Sequence, residues 1–403
     1  MTLRLAKPLV YVTRDIERAL GMEPGQRGGA GYFVVSNDTA YGREVEKKYP
    51  DYVRLVQGGA ALLDTFDILS LPEIQKMIAD LGADVLVFQN TARIERLVRE
   101  KGWDLLNPRA ELAKEVEEKV SQVKWLGDQA ALLPPHRIAL CKDVAYRGAK
   151  FVIQFNHSHT GEGTHVIKSD KDLADIRERF PLRECRVTDF VEGPVFTMNI
   201  VVGDDIIMGN PSYQITGLRP FTDLPFSTVG NDWTLAKDPG FLGLLKAATS
   251  IARTIGSRLK SDGWKGLFGI DVIYDTHSGK TSLLEINARQ PASATFESTL
   301  EKEISADAPT IFEAHVAALL GMSLTEKPPS VSGAQIVKRV TNIIYDVDIA
   351  ALRAKDLDVM TYDNVDHNKE LFRIQSSTGI MKAHGILNDL GISIASCIKT
   401  AQK

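Results

Sequence analysis

The stretch Gly266 to Ser293, GLFGIDVIYDTHSGKTSLLEINARQPAS, limits what this chain can fold into more than any other. Two apolar runs flank Thr276-His-Ser-Gly-Lys280. Both alternate and both are rich in Ile, Val, Leu and Tyr, which predicts paired strands. Three loop residues, His277-Ser278-Gly279 with the glycine last, suit a hairpin whose third loop position is left-handed. That register sets Asp271 opposite Glu285, and Asn287, two residues on, shares the face of Glu285. Carboxylates facing each other at roughly 5 Å repel unless a cation sits between them. Asp, Glu and an Asn carbonyl are hard oxygen donors, the kind Mg2+ takes together with water and phosphate oxygens, and Mn2+ remains open on the same grounds. Arg289 follows with a planar donor fork suited to a carboxylate or phosphate. A solvated hairpin face also carries acids as a matter of course, so the pattern alone leaves both readings standing.

The segment Ser282-Leu-Leu-Glu-Ile-Asn-Ala-Arg289 is more specific. It resembles the metal-binding strand of the ATP-grasp superfamily. There an Asp on one strand and a Glu-x-Asn on the next hold the magnesium ions of ATP, and an Arg often follows. The resemblance implies Asp271, Glu285 and Asn287 as metal ligands, with ATP and Mg2+ or Mn2+ as cofactors.

The bulk properties allow this. A chain of 403 residues can hold two or three domains with a large core. Net charge is −4 and Lys and Arg form no long runs, so nothing draws the chain to nucleic acid or an anionic membrane. Cys141, Cys185 and Cys397 are too few and too far apart for a disulfide framework. The first residues carry no apolar signal-peptide core, and no apolar run reaches the length of a membrane span. The expected location is cytoplasmic.

Residues 1–107 alternate strand and helix. Apolar strands are expected at Pro8 to Thr13, Tyr32 to Asn37, Val53 to Gln57 and Asp84 to Gln89, with helices at about Thr39 to Lys48, Leu71 to Leu81 and Thr91 to Lys101. That order implies a parallel sheet covered on both faces. Ligands of such a sheet sit beyond the strand C-termini, here near Thr13, Arg14, Asn37 and Asn90. Gly25 to Gly31 reads as a flexible loop without dinucleotide-binding spacing.

Ala110 to Leu126 reads as one helix. Leu112, Val116, Val123 and Leu126 fall within about 80° of one another, and Lys119 lies in the middle of that stripe. A lysine aimed at a core needs an anion or must reach past it. Glu-Lys-Val-x-x-Val-Lys-Trp-Leu resembles the superfamily helix whose lysine reaches the nucleotide phosphates. That implies this role for Lys119, with Lys124 a weaker second.

Phe151 to Phe155 and Thr164 to Ile167 read as strands around Asn-His-Ser-His-Thr-Gly-Glu-Gly. Gly161 and Gly163 let backbone amides approach a phosphate, and Thr160 and Thr164 add hydroxyls. His157 and His159 read as solvated loop histidines rather than metal ligands. The segment resembles the superfamily's mobile lid, with one departure: Gln154 stands where a lysine usually reaches the phosphates. Gln can donate to a phosphate oxygen but brings no charge, which would leave the charge to Lys150, His157 or His159. Arg186 to Gly193 resembles the strand and hinge that line the adenine. This implies base-edge contacts from Phe190 and Val191 and a polar contact from Asp189 or Glu192. Val195 replaces the usual ribose-binding Glu.

Ser212 to Val229 reads as a polar, Pro-rich loop facing substrate. Its one base, Arg219, is either a clamp for phosphate or carboxylate or a surface arginine. Phe241 to Leu259 and Pro309 to Leu320 read as packing helices. Residues 328–403 mix short strands and helical pieces, expected to cover the site or form a homodimer surface.

The resulting expectation is an α/β and α+β chain with the ATP-grasp fold. An N-terminal parallel-sheet domain (1–107) precedes the ATP-grasp domain (108–327, its lid at about 136–192) and a C-terminal α+β segment (328–403). The resemblance implies an ATP-dependent ligase joining a small-molecule carboxylate to an amine. Lys119, Arg289 and Arg219 would be its catalytic cations. A kinase, a carboxylase, or a nucleotide-binding module without turnover are the alternatives.

Overall fold

The computed structural model describes residues 3–59, 61–156, 163–324, 326–355, 357–362 and 364–400. In the N-terminal region Leu9–Val12, Ala30–Asn37, Val53–Val56 and Asp84–Val87 pair in parallel, with Leu9–Val12 and Ala30–Asn37 at the centre. Period-two alternation splits the sheet's two faces. Val10, Val12, Val85 and Val87 pack under Ile68, Ile78, Ile94 and Val98, while Tyr11, Tyr32 and Leu86 face Phe312 and Val316. Helices Ala40–Lys48, Pro72–Leu81 and Ala92–Lys101 start and stop where expected, the latter two at left-handed Gly82 and Gly102. Gly25 to Gly31 is not a flexible loop. Gly25–Arg27 pairs antiparallel with Ala30–Asn37 across a turn with Gly28 at φ +75°. Its polar residues carry no apolar alternation that would announce a strand.

The centre is a nine-stranded sheet whose pairings are antiparallel. Its order runs Thr281–Asn287, Gly266–Tyr274, Val195–Val202, Ser212–Thr216, Thr228–Asp232, Ala334–Arg339, Glu370–Ser376 and Asp358–Thr361, with Ile206–Met208 also on Val195–Val202. Phe196, Met198, Ile200, Phe268, Ile270 and Val272 form one face, covered by helix Leu242–Ser261 through Leu244, Ala248, Ile251 and Ile255. Each such buried aliphatic side chain contributes about 1.5–3 kcal/mol. On the opposite face Val201 and Leu267 pack on helix Ile311–Leu319. Toward the other end of the same strands that face turns polar: Asn199, then Thr197 beside Asp271.

One expectation changes here. Ser212 to Val229 is a strand pair of this sheet, leaving only its connection as loop. In residues 328–403, Ala334–Arg339 and Glu370–Ser376 extend the sheet and share its core.

The lid region forms a separate antiparallel sheet in the order His136–Leu140, Glu184–Asp189, Phe151–Gln154, Thr164–Ile167. Phe151, Ile153, Phe155, Cys185 and Val187 pack against Leu173 and Ile176 of helix Asp170–Arg179, which Ser169 caps. Ala110 to Leu126 is not one helix. Ala110–Glu117 and Lys119–Leu126 are separated by Glu118 in extended conformation, ψ 136°. Side chains satisfy the groups freed by the break: Gln122 Nε2 donates to Val116 O at 2.9 Å, and Val120 N donates to Asn156 Oδ1 at 2.7 Å. Among the described residues no helix is long and apolar enough to cross a membrane.

Candidate active site

The lid sheet and the central sheet face each other across a cavity of about 1050 Å3. Val152, Gln154, Thr164, Val166 and Thr188 line it from the lid, while Gln214, Asp271, Ile273, Leu284 and Glu285 line it from the central sheet. Lys119, Asp189, Phe190, Val191, Glu192, Asn287 and Arg289 complete the set of sequence-derived residues around this one space. Gly163 is described but does not line it, and Thr160, Gly161, His157 and His159 lie outside the described residues. Arg219 is exposed on the loop before the cis Pro220 and does not line the cavity. The same connection returns to the wall further on, at Pro225 and Phe226.

Asp271 pairs directly with Glu285, and Asn287 with Gly269. Asp271 is buried; Thr197 Oγ1 donates to it at 2.7 Å and Gln214 Nε2 at 3.2 Å. Burial, and then the charge of Glu285, push its pKa up to about 7. Burial also works against Glu285, but the Lys119 ammonium beside it outweighs this and holds it at about 2. Lys119 itself is buried at the first position of its helix, and its Nζ donates to Glu285 Oε2. Arg289 Nε donates to Glu117 Oε1 at 2.9 Å and Nη2 to Asn287 Oδ1 at 2.9 Å. Among the described residues no three His, Cys, Asp or Glu side chains gather as a metal cluster. The donor set nevertheless fits a hard cation. Two facing carboxylates, one resisting ionisation, and a neighbouring amide oxygen are what such an ion would neutralise.

The segment after Asp189 crosses the turn of the acidic hairpin. Thr276 N donates to Glu192 O at 3.3 Å, and Gly193, φ +155°, lies so close that a Cβ there would stand 1.9 Å from Tyr274 O. Phe190 to Glu192 are thereby held over one end of the cavity.

A buried cation behind the lid strand carries no sequence motif. Arg186 is buried with no carboxylate in ion-pair reach among the described residues. Its Nη2 and Nε donate to Gln154 Oε1 at 2.7 and 3.1 Å, Nη1 to Gln122 Oε1 at 3.0 Å, and Nη2 also to Leu284 O at 3.2 Å. With its oxygen held from behind, Gln154 offers the cavity only its Nε2, which also donates to Thr164 Oγ1 at 3.4 Å. No lysine stands at position 154, yet a guanidinium lies directly behind the glutamine. Burial lowers the Arg186 pKa to about 10, so the group stays charged near neutral pH. Arg186 lies on the strand face opposite Cys185 and Val187 of the lid core, where alternation alone reads an ordinary outward charge. Lys150, the charge expected there, instead lies over the Phe190 ring at 5.7 Å.

No protein-family model and no curated protein matches this sequence. Solved structures do match its fold. N5-carboxyaminoimidazole synthetase from Staphylococcus aureus has a TM-score of 0.64 at 13% identity over 98% of each chain. N5-carboxyaminoimidazole ribonucleotide synthetase from Thermotoga maritima has a TM-score of 0.61 at 16% identity, covering 99% of this chain and 100% of its own. The biotin carboxylase domain of Hydrogenobacter thermophilus 2-oxoglutarate carboxylase, solved with MgADP and bicarbonate, has a TM-score of 0.58 at 14% identity, covering 92% and 86%. The chain thus has the ATP-grasp fold, with an N-terminal parallel sheet followed by antiparallel sheets.

Proposed function

We propose that this chain is an ATP-dependent ligase that joins a carboxylate to an amine through an acyl phosphate, releasing ADP and phosphate. The observation that carries the reading is one cavity that gathers Lys119, Asp271, Glu285, Asn287 and Arg289 opposite the hinge Asp189 to Glu192. The nucleotide would lie with its base against the hinge backbone and its phosphates toward the acidic pair. Asp271, Glu285 and Asn287 would hold Mg2+ or Mn2+, which supplies charge neutralisation for the phosphates. Lys119 exchanges its bond to Glu285 for the charge spreading over the transferred phosphoryl group. Gln154, set by Arg186, adds a donor, as would the lid amides around Thr160, Gly161 and Gly163 and the Thr164 hydroxyl. A substrate carboxylate oxygen attacks the γ-phosphorus and ADP leaves. The amine nitrogen then attacks the acyl carbon and phosphate leaves with that carboxylate oxygen. Arg289, at the cavity wall, suits the acyl phosphate as a bidentate donor once it releases Glu117. Closure of the lid keeps water from that intermediate. The cytoplasm supplies such substrates and the reducing conditions the three free cysteines need.

A carboxylating role is the second reading. The structural relatives named above include synthetases of a carboxyamino product and a structure holding bicarbonate, so the acid activated here could be bicarbonate. A binding role without turnover is favoured by Gln154 and Val195. The deciding experiment is ADP release from Mg-ATP with pooled amino acids, with and without bicarbonate, in the parent protein, Glu285→Ala and Lys119→Ala. Amine-dependent ADP release, lost in both variants, supports the ligase. Release that needs bicarbonate supports the carboxylase, and AMP in place of ADP overturns the acyl phosphate.

A further inference from the structure

The C-terminal segment sends one hairpin tip to the cavity. Met381–Ala383 pairs antiparallel with Ile386–Leu387, which leaves His384 and Gly385 as the turn. Both line the cavity, as the hinge residues Phe190 to Gly193 do. The base of the hairpin is tied to the central sheet. The fully buried Asp232 accepts from Ile380 N and from Met381 N, each at 2.8 Å, and Asn388 Nδ2 donates to Gly379 O at 2.8 Å. The tip is tied as well: Gly385 N donates to the Tyr213 hydroxyl at 3.0 Å. A turn held at base and tip presents its side chain already placed, which lowers the ordering cost of binding.

The imidazole of His384 is set by the same hydroxyl. Its Nδ1 lies 2.9 Å from the Tyr213 oxygen, and the two rings meet edge to face at 5.8 Å. Tyr213 is buried, and Gly385 N is a donor, so among the described residues Nδ1 is the acceptor for the Tyr213 hydroxyl proton. A neutral imidazole that accepts at Nδ1 carries its own proton on Nε2. Burial lowers the His384 pKa from its ordinary value of 6.5, against the pull of the Glu192 charge, so the ring is neutral at physiological pH. His384 is exposed, and among the described residues its Nε2 has no hydrogen-bond partner. The atom left for the cavity is therefore a single N–H donor.

With the base against the hinge and the phosphates toward Asp271 and Glu285, the sugar lies beside the base on the way to the acids. Val195, which follows the hinge in the cavity wall, is apolar and gives a sugar no hydrogen bond. A sugar hydroxyl both donates and accepts, and it is matched by one donor and one acceptor standing together. At this end of the cavity Glu192 is the acceptor, near enough for its charge to act on the imidazole, and His384 is the donor. We propose that His384 is a specificity-determining residue for the nucleotide sugar: its Nε2 donates to a ribose hydroxyl, whose own proton goes to the Glu192 carboxylate. Tyr213 positions the ring. This role rests on the nucleotide reading of the cavity.

Binding of ATP, 2′-deoxy-ATP and 3′-deoxy-ATP, each with Mg2+, is measured calorimetrically on the full chain for the parent, His384→Ala, Tyr213→Phe and Lys119→Ala. The parent prefers ATP to one of the deoxy compounds by about tenfold to a hundredfold, since that compound loses both hydrogen bonds. His384→Ala weakens ATP by about threefold to tenfold and leaves that deoxy compound unchanged, so the preference shrinks by the same factor. Tyr213→Phe keeps the imidazole but frees it, and the preference shrinks in part; a merely structural role for Tyr213 would weaken all three compounds alike. Lys119→Ala weakens all three and keeps the preference. His384 is exposed at a turn, so its replacement leaves the fold intact, which an unchanged melting temperature checks. A preference for ATP that is the same with and without His384 overturns the sugar contact and leaves the nucleotide reading standing. So does a parent that binds ATP and both deoxy compounds equally. Equal weakening of all three by His384→Ala also overturns it, since that marks contact with the base or the phosphates. A parent that binds none of the three overturns the nucleotide reading and the sugar contact with it.

Discussion

The ammonium of Lys119 bonds Glu285 Oε2 across 166 residues of chain. This single contact joins the break between two helices to the acidic hairpin. It neutralises one of two facing carboxylates and leaves Asp271, the other, reluctant to ionise. In the proposed reaction the lysine is held ready on Glu285 until phosphates arrive.

Lys119→Ala therefore acts on both binding and folding. It leaves Glu285 without its cation beside a second carboxylate. The loss is about 1–3 kcal/mol, less than for a fully buried pair because the Glu285 side chain is 34% exposed. Urea unfolding measures that loss. Nucleotide affinity, measured by calorimetry, falls more for ATP than for adenosine, since only the phosphates have lost a partner.

Replacing Arg186 by Leu leaves acceptors on Gln122, Gln154 and Leu284 unpaired. Stability drops by about 2–4 kcal/mol in urea unfolding. Gln154→Glu separates the two sides of that contact. It gives Arg186 a carboxylate, so the fold holds, but it turns an acceptor toward the cavity, and ATP affinity falls about tenfold. Equal ATP affinity in Gln154→Glu would contradict a donor role for Gln154.

Gly193→Ala forces a methyl group into Tyr274 O from a backbone angle that side chains rarely adopt. The hinge must lift off the hairpin turn, at about 2 kcal/mol or more. A lowered melting temperature together with weaker binding of adenosine itself is the expected signature.

His315 lies buried in helix Ile311–Leu319, where its Nδ1 accepts from Leu267 N at 2.9 Å. Burial holds its pKa down to about 3. A depressed imidazole stabilises fully above its unfolded value of about 6.5 and loses that contribution as pH falls toward 3. The stability lost in His315→Gln is therefore largest near pH 7. It shrinks by about 1.4 kcal/mol per pH unit below about 6.5, which unfolding at matched pH values measures.

The sequence makes the strands legible where alternation is strong, and the pairing of Asp271 with Glu285 follows from it. That register holds for a reason alternation does not show. The turn is one residue longer than expected, since Asp275 bonds Lys280 across it, and a bulge at Leu284 restores the pairing. The bulge also frees Leu284 O for Arg186 and turns Leu284 and Glu285 to the same cavity. The break at Glu118 was not legible, because no Gly or Pro marks it and the compensating bonds come from Gln122 and from Asn156 in another region. The bonding of Arg186 is not legible in sequence, since its partners lie 32 to 98 residues away. The role of Ala334–Arg339 was hidden for a similar reason: a short strand does not say which sheet edge it joins.

The central claim is that a carboxylate oxygen of the substrate takes the γ-phosphoryl group. It is tested with the acid identified by ADP release, prepared with both carboxylate oxygens as 18O and turned over with Mg-ATP and its amine. Mass spectrometry of the released phosphate should find one 18O per phosphate, in step with ADP. Unlabelled phosphate at full turnover would contradict the acyl-phosphate account.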